Sequence, residues 1–171
     1  MDVSLRAATP ADEDVIEILT LVSYFQVEGS RQDEHAAIAA LRREGLLSLS
    51  LVAEHEGYVV GHLAASPLTL SDGSPGWYVI GPLAVGPGHR GQGIATALLQ
   101  AALVELEGCR AAGCVAAVYE RGAEGRLFTR LGFAPEPGLT VAGGGVLLAR
   151  PFGDRMPPLA EAQPHPALRT D

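Results

Sequence analysis

Gly86-Pro87-Gly88-His89-Arg90-Gly91-Gln92-Gly93-Ile94-Ala95 separates two stretches of opposite character. Upstream, Trp77-Tyr78-Val79-Ile80-Gly81-Pro82-Leu83-Ala84-Val85 is aromatic and β-branched, the composition that strands favour. Downstream, the stretch from 94 to 107 is rich in Ala, Leu and Glu, with Ile94, Leu98, Ala101, Ala102 and Leu106 at helical spacing. A glycine-rich turn that opens a helix aims several unpaired N–H groups and the positive end of the helix dipole at one spot. Such a spot accepts anionic phosphate. Glycine suits it because a side chain would hold the phosphate off the backbone and restrict the turn's dihedrals. The stretch therefore predicts a strand, a phosphate-gripping turn and a helix.

Two familiar phosphate loops do not fit. A P-loop needs Lys-Ser or Lys-Thr after its last glycine, and here all twelve basic residues are arginine. A dinucleotide fingerprint needs a third glycine, with an acid some twenty residues further on. Thr96 stands where that glycine belongs, and the next acid after a strand-like run, Glu120, comes too late. The fingerprint also follows a first strand, whereas this loop lies mid-chain behind several.

Arg90-Gly91-Gln92-Gly93-Ile94-Ala95 instead resembles the Arg/Gln-x-x-Gly-x-Gly/Ala pattern of the GNAT family of N-acetyltransferases. The neighbouring segments resemble the family in the same order. Ile80-Gly81-Pro82-Leu83-Ala84-Val85 is similar to its fourth strand, Leu131-Gly132-Phe133 to the signature after its last helix, and residues 51–67 to its paired second and third strands. The likeness covers roughly residues 3–150 and is greatest to the YhbS-like subgroup of predicted acetyltransferases. It implies a mixed α/β fold with a central, mostly antiparallel sheet flanked by helices. It also implies acetyl-CoA as co-substrate and an amine-bearing small molecule as acceptor.

Composition is consistent with that expectation. A chain of 171 residues suits one domain, and no apolar run approaches the length of a membrane span. Met1-Asp2-Val3-Ser4-Leu5-Arg6 lacks the basic-then-apolar order of a signal peptide, so a cytoplasmic location is expected. Cys109 and Cys114 are too few for a disulfide scaffold, and the five histidines are too scattered to predict a metal site. A net charge of −8 and the absence of any arginine run disfavour nucleic acid as a partner. Acidity suits a cationic or amine-bearing acceptor, and solubility explains it equally well.

Along the chain, residues 3–8 read as a strand, and Thr9-Pro10-Ala11-Asp12 as the capped start of a helix reaching Phe25. A second helix is expected over 33–44, stopped by Gly45. A hairpin over 49–54 and 58–67 follows, then the strand–turn–helix unit. A fifth strand is expected over 114–119, a short helix over 124–131, and strands around Phe133 and over 141–150. Residues 1–150 form the expected domain. Five prolines among residues 151–171 predict an extended appendage, loose or lying over a dimer partner. The apolar helices likewise permit a homodimer.

The resemblance assigns most of the site. Leu83, Ala84 and Val85 would present a backbone N–H to the thioester carbonyl, with Gly81-Pro82 supporting a bulge that frees ladder groups. Arg90, Gly91, Gln92, Gly93, Ile94 and Ala95 would hold the pyrophosphate. Many relatives carry a tyrosine four residues before the glycine of Leu-Gly-Phe, placed to protonate the departing sulfur. Phe128 stands there, so it is expected to touch the co-substrate without supplying a proton. A thiolate is a tolerable leaving group, and Tyr119 at the end of the fifth strand is a candidate replacement acid. His62, with an ordinary pKa near 6.5, and Glu28, between the first two helices, are candidate bases. Without an acid or a base on the fourth strand, a non-catalytic acyl-CoA sensor is the alternative.

Overall fold

The computed structural model describes residues 2–25, 27, 30–118, 124–141, 146–153 and 159–168. The order of its elements follows the switching of apolar periodicity along the chain. Strand β1 (Ser4–Ala7) leads through a short turn, Pro10–Asp12, into α1 (Glu13–Tyr24) and α2 (Glu34–Arg43). Strands β2 (Leu49–His55), β3 (Tyr58–Leu70) and β4 (Trp77–Val85) come next. After a second short turn, Pro87–His89, lie α3 (Ile94–Gly108), β5 (Gly113–Val118) and α4 (Glu124–Arg130). Strands β6 (Ala134–Pro135), β7 (Leu139–Val141), β8 (Val146–Pro151) and β9 (Ala160–Gln163), with a last short turn, Pro166–Leu168, complete the described elements.

The strands run β1-β2-β3-β4-β5-β8-β6 across the sheet, with β9 joining β3 to β7. Pairing is antiparallel except between β4 and β5 and between β7 and β9. This is the mixed, mostly antiparallel sheet expected. Helix α3 covers one face over a core that includes Leu63, Leu98, Leu99 and Phe133. On the other face, Ile16 of α1 and Ile38 of α2 meet Val52. Gly61 lets α3 sit close: a Cβ there would lie 2.9 Å from Ile94 and 3.0 Å from Leu98.

The start of α1 is held by charge. Asp12 accepts the Thr9 N–H at 2.7 Å and two bonds from the Arg6 guanidinium at 2.8 and 2.9 Å. Those guanidinium bonds, ahead of the others, hold the Asp12 carboxyl well below the usual carboxylate range.

The C-terminal segment requires a correction. The expected boundary at residue 150 does not divide the structure, because β8 runs through Pro151 and Phe152 is buried in the main core. Nor is the segment wholly an appendage. Thr69 and Leu70 pair with Gln163 and Ala162, and Leu139 to Val141 pair with Ala160 to Ala162. The prolines flank Ala160-Glu161-Ala162-Gln163 rather than interrupting it. Its alternate residues Ala160 and Ala162 face inward, joining Trp77, Val115 and Leu147 in a second core. His165 then reaches Glu44 at the end of α2, 2.9 Å away.

Candidate functional site

Pairing between β4 and β5 begins at Trp77 with Gly113 and ends at Val79 with Val115. Beyond that point the two strands part, and the edge of β4 from 80 to 85 faces the opening. On its other side β4 stays paired to β3, but the register slips between Leu63 and Ala65, so Gly81 and Pro82 form the expected bulge. Parallel strands that diverge around a bulge leave backbone donors and acceptors without ladder partners, and something else must satisfy them.

Part of that demand is met by the end of α1. The Tyr24 hydroxyl donates to the Leu83 carbonyl at 3.2 Å and accepts the Leu83 N–H at 3.3 Å. The Ser23 hydroxyl donates to the Val85 carbonyl at 3.1 Å. Arg90 closes the same corner, giving Nη2 to the Ser23 carbonyl at 2.8 Å and Nε to the Val85 carbonyl at 3.3 Å. The helix end, the β4 edge and the glycine loop are thereby fastened together.

The loop leads from β4 to α3. Gly91 and Gly93 both take left-handed backbone angles, φ 74° and 83°. A side chain at either would be strained there, although a Cβ would meet nothing within 4 Å. Gly93 caps α3, whose intrahelical bonding starts with the Ala97 N–H to the Gly93 carbonyl at 3.0 Å. The N–H groups of Ile94, Ala95 and Thr96 precede that bond and have no intrahelical acceptor. Gly91, Gln92 and Gly93 are exposed, and the first turn of α3 carries no acidic residue to compete for an anion. Unpaired N–H groups gathered at a helix start in this way form a corner whose backbone suits an anion. The Ile94 side chain is core, 3% exposed, so only its N–H faces this task. The Gln92 amide turns back onto the Gly88 carbonyl at 3.3 Å.

The expected acid–base groups fall differently. His62 is fully buried on the face beneath α1 and α2, with its Nε2 2.9 Å from the Ser50 hydroxyl. Burial first, then the charge of Arg42, lowers its pKa to about 4, so the ring is neutral at physiological pH. With no exposed surface it has no access to an acceptor; the expectation of a base on β3 is corrected to a core histidine. Phe128 is likewise corrected: it is 4% exposed, with its ring 5.1 Å from that of Phe133, and serves the core. Glu28 and Tyr119 lie outside the described residues. Trp77 is buried at 3% and packs in the core. Glu54 bonds Arg6 at 3.0 Å. Burial pushes the Cys114 thiol up to about 12, so it is no nucleophile.

Sequence reasoning missed the roles of Ser23 and Tyr24 against β4. A hydroxyl's target on a strand 59 residues away is not visible in local spacing. No group of metal-ligating side chains gathers among the described residues.

Comparison with known proteins agrees with this geometry. The Acetyltransferase (GNAT) family profile matches residues 13–133. The uncharacterized N-acetyltransferase YhbS of Escherichia coli K12 is 34% identical over 103 residues, 60% of this chain. That stretch spans 59% of the length of YhbS. Among solved structures, a GNAT family acetyltransferase from Brucella melitensis, in complex with acetyl-CoA, superposes with a TM-score of 0.83. It is 32% identical and covers 98% of this chain and 99% of its own. The Escherichia coli YhbS structure, in complex with CoA, has a TM-score of 0.79 at 26% identity, covering 94% of this chain and 89% of its own.

Proposed function

This chain belongs to the GNAT acetyltransferase family, and from that premise we propose that it transfers an acetyl group from acetyl-CoA to the amine of a small molecule. The observation that carries the reading is the glycine-capped start of α3 lying beside a β4 edge that has left the ladder. One feature suits a pyrophosphate and the other an acylated thiol arm. Their relative placement lets a single extended ligand use both.

In this reading the N–H groups from Gly91 to Ala95 hold the pyrophosphate, and Arg90 acts by bracing the loop. The thioester lies along Leu83, Ala84 and Val85, where the Leu83 N–H polarises its carbonyl. A neutral amine attacks the carbonyl carbon, the new C–N bond forms, and the electron pair of the C=O π bond moves to oxygen. Its return breaks the C–S bond, and CoA leaves as the thiolate. The amine's proton passes to solvent or to an acid–base group. Glu28 and Tyr119 are the proposed groups, tested by Glu28→Gln and Tyr119→Phe. The acidic surface favours cationic acceptors on encounter. No helix of the described residues is long and apolar enough to cross a membrane.

One observation favours a second reading, a non-catalytic acyl-CoA sensor: the residue at the family's tyrosine position is a buried Phe128 with no hydroxyl. The deciding experiment measures thiol release from acetyl-CoA with a panel of small amines, polyamines, amino acids and aminoglycosides. A parallel titration reports acetyl-CoA affinity. Acceptor-dependent release supports the enzyme, and tight binding with no release from any acceptor supports the sensor. Absence of binding overturns both.

A further inference from the structure

Resting on that reading and going beyond it, we infer that the Tyr24 hydroxyl is a second hydrogen-bond donor to the thioester carbonyl, beside the Leu83 N–H. Tyr24 ends α1 and is 7% exposed. Packing alone would be served by phenylalanine. The hydroxyl instead meets both backbone groups of one β4 residue, Leu83, past the point where β4 and β5 part.

Those two bonds measure 3.2 and 3.3 Å. An O–H···O bond is usually about 2.8 Å, so the hydroxyl stands beside Leu83 in long, readily exchanged bonds. The helix end that carries it is held separately. Ser23, the preceding residue, is tied to the Val85 carbonyl, and Arg90 is tied to the Ser23 carbonyl at 2.8 Å. The corner is braced, and the phenol is carried into place by its neighbours.

A carbonyl oxygen that takes the Leu83 N–H replaces the Tyr24 oxygen as its acceptor. The phenol swings off the N–H line to admit it, and because the phenol oxygen starts 3.3 Å from that nitrogen, a shift to the side of the incoming oxygen leaves the two oxygens within hydrogen-bond reach. The O–H then turns from the Leu83 carbonyl to the ligand. A phenol with a pKa near 10 is protonated at neutral pH and acts as a donor. Two donors on one oxygen stabilise the negative charge that appears there when the amine adds to the carbon. The phenol keeps its proton throughout.

The test is a binding comparison that needs no acceptor. Acetyl-CoA and S-ethyl-CoA, a thioether lacking the carbonyl oxygen, are titrated calorimetrically into the wild type, Tyr24→Phe and Ser23→Ala. The wild type is expected to prefer acetyl-CoA, and Tyr24→Phe to reduce that preference about fivefold, the worth of one net hydrogen bond. Ser23→Ala, which loosens the brace, should shift both affinities by a common factor and leave their ratio alone. The carbonyl stretch of bound [1-13C]acetyl-CoA should rise in frequency in Tyr24→Phe. An unchanged ratio and unchanged band, with both ligands still bound, overturn the inference while leaving the acetyl-CoA site standing. If neither ligand binds the wild type, the site reading falls and the inference with it. Should Tyr24→Phe fail to fold, global 3-fluorotyrosine labelling applies the test in reverse. A more acidic phenol should raise the acetyl preference, and an unchanged ratio again overturns the role.

Discussion

His62 sets a pH dependence that can be worked through. The ring is fully buried, and among the described residues it bonds only Ser50, through Nε2, and leaves Nδ1 without a partner. Burial lowers its pKa to about 4 from 6.5. Above pH 6.5 both folded and unfolded chains hold it neutral, and the native state keeps its full stability. Between 6.5 and 4 the unfolded chain binds a proton that the folded chain refuses, so stability is lost as pH falls through that window. At about 1.4 kcal/mol per pH unit, the whole window amounts to about 3 kcal/mol. The comparison is His62→Gln, whose amide retains a partner for Ser50 and does not titrate. Urea unfolding at pH 7, 6, 5 and 4.5 gives the stability difference between the two proteins. Groups common to both cancel, so the wild-type advantage should shrink by about 2 kcal/mol from pH 7 to 4.5. Parallel stability curves would refute the reasoning, as would an NMR titration placing the wild-type imidazole near 6.5.

Three other outcomes follow from local geometry. Gly113→Ala places a Cβ 2.7 Å from the Trp77 ring and 2.8 Å from the Arg150 carbonyl, so thermal unfolding should report a loss of about 1–3 kcal/mol. Gly93→Val combines strain at φ 83° with bulk beside the α3 amides, whereas Gln92→Ala removes one side-chain bond of 3.3 Å. Calorimetry with acetyl-CoA should therefore show the greater loss in Gly93→Val; the reverse order defeats the backbone account of the loop. Ending the chain after Gly153 removes β9 and uncovers Leu70 and Leu139, and should lower the melting temperature while leaving the β4–α3 corner able to bind acetyl-CoA.

Much of the architecture was legible because local signals agreed with one another. Pro10 after Thr9, Gly45 after Arg43, and the glycines around 91–93 mark helix starts and stops whatever surrounds them. Helices α1 to α3 therefore fall within a residue or two of expectation. The glycine turn that opens α3 was legible for the same reason, being backbone and glycine. What escaped was set by pairing across distance. The parting of β4 from β5 is a matter of register and leaves no local trace. The Tyr24–Leu83 contact joins a helix end to a strand through tertiary packing alone. His62 alternates with Gly61 and Leu63, so its face was readable, but its depth came from α1 and α2 closing over it. In the C-terminal segment, proline content outweighed the inward–outward alternation of Ala160-Glu161-Ala162-Gln163, where that alternation decided the outcome.

The strand made by those four residues also constrains the order of assembly. It reaches back to Thr69 and Leu70, roughly ninety residues earlier, and runs parallel to β7. Contacts so distant in sequence are entropically expensive to close and form late. During synthesis, the layer containing Trp77, Leu70 and Leu139 stays open until residue 163 has emerged. The α3 side, with its glycine corner, can consolidate well before that. The α3 side therefore closes through nearer contacts than the layer that β9 seals.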